Sequence, residues 1–68
     1  MRIKLNGKEE ETQATTVEAL LKSKNIEPRM VAVEVRSQMV ERSQYAETLL
    51  HEGDSIEFLF FMGGGANR

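Results

Sequence analysis

The chain has 68 residues, 40% of them hydrophobic and 29% charged, with a formal net charge of -2. That composition fits one small folded domain and excludes a disordered tail, while the mild acidity lacks the basic stripe that nucleic acid requires. The cysteine count is 0, which excludes a disulfide framework, a thiolate metal site and a thiol nucleophile.

Ile3 and Leu5 alternate with Arg2, Lys4 and Asn6, a period of two that predicts a first strand. Asn6-Gly7 then supplies the residues that best tolerate the two positive φ angles of a type I′ turn. The return strand, residues 8–12, carries Glu9, Glu10 and Glu11, and such charge suits a sheet edge that resists further pairing. Thr15-Thr16-Val17-Glu18 reads as a capping box with Thr15 as the cap. Val17, Leu20 and Leu21 follow at helical spacing, with Glu18 and Lys22 four apart. Asn25 suits a left-handed exit, and Pro28 forbids continuation.

Val31, Val33 and Val35 alternate with Ala32 and Glu34 in a third strand. Arg36-Ser37-Gln38 predicts a turn into a short strand at Met39 and Val40. Residues 44–50 are ambiguous: Tyr45, Leu49 and Leu50 have helical spacing, yet a single turn and a loop would serve. Glu52-Gly53-Asp54 is a tight turn, and Ile56, Phe58 and Phe60 alternate with Glu57, Leu59 and Phe61 in the most apolar strand. A mixed sheet covered on one face by one helix uses each apolar face once, so the class is α+β. The domain is expected over residues 1–62, with a mobile glycine-rich end over residues 63–68.

The order of hairpin, helix and further strands ending in glycines resembles the ubiquitin-like β-grasp fold, with a mixed sheet of four to five strands. Glu52-Gly53-Asp54-Ser55-Ile56-Glu57-Phe58 with Phe61-Met62-Gly63-Gly64-Gly65, and the helix start Thr16-Val17-Glu18-Ala19-Leu20-Leu21, are similar to the sulfur carrier family of thiamine biosynthesis. The resemblance covers essentially the whole chain. It implies that an E1-like enzyme uses ATP to adenylate a terminal glycine carboxylate. A sulfur-donating enzyme then helps install a thiocarboxylate, which thiazole synthase receives. The attachment residue is then Gly65, with Gly63 and Gly64 before it, and the chain itself is not an enzyme and needs no cofactor.

The sequence departs from the family pattern in that Ala66-Asn67-Arg68 follow the glycines. Adenylation needs a free carboxylate on glycine, so a processing protease is expected to expose Gly65. Glu41-Arg42 stands where the family often has Pro-Arg, and Arg36-Ser37-Gln38 lacks the usual Asn-Gly or Asp-Gly. A sulfur carrier for molybdopterin and a non-covalent β-grasp interaction module are the alternative readings.

The residues make the carrier chemistry plausible on their own terms. Glycine has no Cβ, so its backbone enters a cleft that other residues would fill. A phosphate-cradling loop is a poor alternative, since no lysine or helix follows the glycines. Leu59 and Phe61 are expected on the sheet face away from the helix, as a docking patch for the adenylating enzyme that Met62 extends towards the tail. His51 has no second ligand for a metal and no triad pattern, so a packed or solvated loop histidine is expected. The acidic residues lack the oxygen set of a calcium loop. No run approaches the about 18 apolar residues of a membrane span, and the start lacks a signal peptide's apolar core, so a cytoplasmic protein is expected.

Overall fold

The computed structural model describes residues 1–61. Strand β1 (Arg2–Leu5) turns into β2 (Lys8–Glu11), helix α1 (Val17–Ser23) follows, and then come β3 (Val31–Val35), β4 (Gln38–Val40) and β5 (Ser55–Phe60). Single 3-10 turns stand at Pro28–Met30 and Arg42–Gln44. The sheet has five strands in the order β2-β1-β5-β3-β4. Its β1–β5 pair is parallel and its other pairs are antiparallel. This is the mixed sheet with one helix that the alternation predicts. The expectations for Met62 and for residues 63–68 fall outside the described residues.

The β1–β2 turn has φ of 50° at Asn6 and 84° at Gly7, the left-handed pair that a type I′ hairpin demands. Strand β2 is an edge, as its glutamates predict, and Lys24 at the helix end forms an ion pair with Glu10.

The helix starts one residue later than the capping-box reading has it. Thr16, not Thr15, is the cap: its φ is -133° and its hydroxyl accepts from the Ala19 N–H at 3.1 Å. The cause is tertiary. Leu50 N–H donates to the Thr15 carbonyl at 2.9 Å and Thr16 bridges to Leu49, which holds Thr16 extended. The first-turn donors that a helix leaves open go instead to the neighbouring loop, Val17 N–H to the Thr48 carbonyl at 3.1 Å and Glu18 N–H to that of Tyr45 at 3.0 Å. The helix exits through Asn25 at a φ of 58°, as expected, with Ile26 N–H returning to the Leu21 carbonyl at 3.0 Å.

Val17, Leu20 and Leu21 pack against Ile3, Val31, Val33, Val35, Ile56 and Phe58 of the sheet. Residues 44–50 resolve into a turn and loop: Tyr45 and Leu50 complete this core while Leu49 faces outward, and the Tyr45 hydroxyl donates to the Val31 carbonyl at 3.2 Å. Burial pushes the Tyr45 phenol above its ordinary pKa. Phe60 departs from the alternation, which assigns it to the core. It is 54% exposed. Phe60 is the last residue of β5, pairs with the buried Val31 and meets Phe58 edge-on at 6.3 Å.

Candidate functional site

The apolar end of β5 is the strand from which the chain runs on toward the glycines. It is anchored at its start by a charged cluster. The Asp54 side chain is nearly buried, and its Oδ2 accepts from the His51 N–H at 2.8 Å and pairs with the Arg36 guanidinium. Burial pushes the carboxyl pKa up, but the Arg36 bond, the His51 N–H and the charge of Arg36 outweigh it and hold the value below the ordinary one. The Asp54 carbonyl accepts from Lys4 N–H at 2.8 Å, which ties the same residue to β1.

Arg36 reaches this carboxylate from an unusual backbone. Arg36 and Ser37 have φ of 52° and 69°, so the β3–β4 turn has two left-handed residues without glycine or asparagine. Arg36 N–H donates to the Ser55 carbonyl at 2.8 Å. That bond and the Asp54 pair offset the left-handed strain. Sequence reasoning placed a turn here but missed the partnership, which joins residues 18 apart. His51 is an exposed neighbour of the pair, its Nδ1 3.7 Å from Asp54 Oδ2. Among the described residues no group of three or more His, Cys, Asp or Glu could hold a metal ion.

At the far end of β5, Leu59 pairs with Ala32 of β3, and Phe61 N–H donates to the Met30 carbonyl at 3.0 Å. Leu59 is 45% and Phe61 57% exposed, on the sheet face away from the helix, where the alternation predicts them. Met39 joins them: it pairs with Glu34, two residues from Ala32, and so stands on the same face, 60% exposed. Ala32, Met39 and Phe61 also border a hollow of about 250 Å³ that reaches Arg42. The β3–β4 register alone would reveal Met39, and a single sequence does not state that register.

The model of the ThiS family matches residues 2–65, nearly the whole chain and the glycines with it. The chain belongs to the ThiS family. Proteins that carry the family name include a sulfur carrier protein and a thiamine biosynthesis protein. The sulfur carrier protein ThiS of Bacillus subtilis is 34% identical over 65 residues, spanning 93% of this chain and 98% of that one. The crystal structure of the thiamine biosynthesis protein ThiS from Geobacter metallireducens superposes with a TM-score of 0.82 at 33% identity, covering 96% of this chain and 100% of that one. Its solution structure gives 0.79 at 32% identity, over 100% and 92% of the two chains. The chain is also 39% identical over 69 residues to a thiazole synthase of Paramagnetospirillum magneticum, across 100% of its own length but 21% of that protein. A Magnetococcus marinus thiazole synthase is 42% identical over 66 residues, 96% of this chain and 20% of that one. The chain thus spans about a fifth of the length of these two relatives. The ubiquitin-like fold of ThiS structures agrees with the sheet and single helix described above.

Proposed function

We propose that Gly65 is the residue that carries sulfur. Its carboxylate oxygen attacks the α-phosphorus of ATP on an E1-like enzyme, pyrophosphate leaves, and an acyl-adenylate forms. Sulfur at the sulfide level, supplied by a sulfur-donating enzyme, then attacks the acyl carbon. AMP leaves with the former carboxylate oxygen, and the thiocarboxylate passes its sulfur to thiazole synthase. The enzymes supply the ATP site and electrostatics. The carrier supplies a backbone end with no Cβ at Gly63, Gly64 and Gly65, narrow enough for a cleft. The two relatives named thiazole synthase favour that enzyme as the recipient, and the need for ATP favours a cytoplasmic setting.

One observation carries the docking part of this reading. Leu59 near the end of β5 and Phe61 just past it expose large apolar groups on the stretch that leads to the glycines. Clustered exposed apolar side chains mark interaction surfaces, and Met62 is next in sequence. The E1-like enzyme covers this patch while the glycines enter its active site. Residues 1–62 form the docking body and residues 63–68 the reacting end. The chemistry requires that Ala66-Asn67-Arg68, which follow Gly65, be removed by a protease.

A form ending at Gly65 is incubated with the adenylating enzyme, ATP and a sulfide source, then weighed intact. The expected result is exchange of one oxygen for sulfur in that form and none in the chain bearing residues 66–68. Leu59→Ser and Phe61→Ser each raise the KM for adenylation about tenfold, equivalent to about 1.4 kcal/mol, and leave the fold intact. An unmodified Gly65-ended form overturns the reading.

A further inference from the structure

The hairpin residue Asn6 does more than form a turn. Along the β1–β5 pair, Asn6 N–H donates to the Ile56 carbonyl at 2.9 Å. The next step of a parallel ladder would give the Phe58 N–H to the Asn6 carbonyl and take an N–H from two residues further on for the Phe58 carbonyl, but the chain turns away at Gly7 and pairs β2 with the other side of β1. The Asn6 side chain fills that step. Its Oδ1 accepts from the Phe58 N–H at 2.7 Å and its Nδ2 donates to the Phe58 carbonyl at 3.3 Å. A primary amide has one acceptor and two donors, so it stands in for a whole peptide unit and satisfies both backbone groups of one residue.

We propose that Asn6 is a positioning residue for sulfur loading, acting through Phe58 to fix the direction in which the chain leaves the sheet. This rests on the carrier reading above. Phe58 is the last buried residue of β5, so its backbone sets the alternation of Leu59, Phe60 and Phe61 that follow. On the opposite side β5 is held by β3, through the Val31–Phe60 pair and the Phe61 N–H to Met30 bond. On the β1 side the Asn6 amide is the hold nearest the exit among the described residues. Without it the end of β5 swings about β3, and Leu59 and Phe61 are no longer held in one orientation on the sheet.

The test replaces Asn6→Gly, which keeps a residue at ease with positive φ in the turn and deletes only the amide. Ile3→Val is the control, a mild core change in the same strand that leaves Phe58 held. Hydrogen exchange is read at the Phe58 and Phe61 amides, and adenylation kinetics are read on forms ending at Gly65. In the Asn6→Gly variant the Phe58 and Phe61 amides exchange about tenfold faster while those of β3 do not, and KM for the adenylating enzyme rises about tenfold at unchanged kcat. Ile3→Val moves neither readout selectively. Wild-type exchange at Phe58, or an unchanged KM, overturns the positioning role. If the wild-type form is itself never adenylated, the carrier reading fails and the role in loading with it. The exchange rates then still report whether the amide holds the strand.

Discussion

Replacing Asp54→Asn tests whether the start of β5 is held by charge. The carboxylate is nearly buried and takes two donors on one oxygen, the Arg36 guanidinium and the His51 N–H. The amide keeps the shape and one acceptor oxygen, so the loss is the charge on the Arg36 bond. A hydrogen bond to a charged group contributes about 1.5–3 kcal/mol, and Arg36 is half in solvent, 51% exposed, which places the loss at the low end, about 1.5 kcal/mol. A domain of 68 residues has a total stability of about 3–10 kcal/mol, so the change is easily measured. It lowers Tm by roughly 6–12 °C. The pH dependence follows from the lowered folded-state pKa of Asp54. A depressed carboxylate stabilises the fold above its unfolded pKa, about 3.9, and the contribution disappears as the pH falls through the lower folded value. Urea melts followed by circular dichroism from pH 7 to pH 2 therefore show wild type above Asp54→Asn at neutral pH and the two curves converging below about pH 4. Equal midpoints at pH 7, or a gap that persists in acid, refute the reasoning.

Two further stability changes distinguish features that lie close together. Thr16→Ala loses the helix cap and costs about 1 kcal/mol in a urea melt, while Thr15→Ala, whose carbonyl rather than hydroxyl is engaged, costs clearly less. Ser37→Gly relieves a left-handed residue at φ 69° and stabilises the fold by about 0.5–1 kcal/mol after the added chain entropy is subtracted, seen as a rise in the urea midpoint.

Period-two patterns made β1, β3 and β5 legible because each is half in and half out of the core. Asn6-Gly7 was equally legible because few residue pairs accept two positive φ angles. The sequence could not choose between Thr15 and Thr16, since both carry the same hydroxyl. The choice belongs to a loop far along the chain, where the Tyr45 and Thr48 carbonyls take the first helical N–H groups. Phe60 fits the inward pattern, but a pattern does not say that the last residue of the strand is left exposed. Arg36 and Asp54 meet because β3 and β5 are neighbours, a fact of topology that no local spacing encodes. Leu59 and Phe61 were readable from the same alternation as the core, whereas Met39 needed the register of β4. Asn6 shows the opposite error: one good local reason for the residue concealed a second reason at Phe58.

Strand β5 comes after every other strand in the chain yet sits in the middle of the sheet, between β1 and β3. A ribosome that has not yet released residues 55–60 holds two hairpins without the strand that stands between them in the sheet. Only Phe61 and Met62 separate the segment that closes this gap from the glycines. On the carrier reading proposed above, completing the sheet and releasing the glycines are one late event, and a polypeptide that stalls early offers an adenylating enzyme neither.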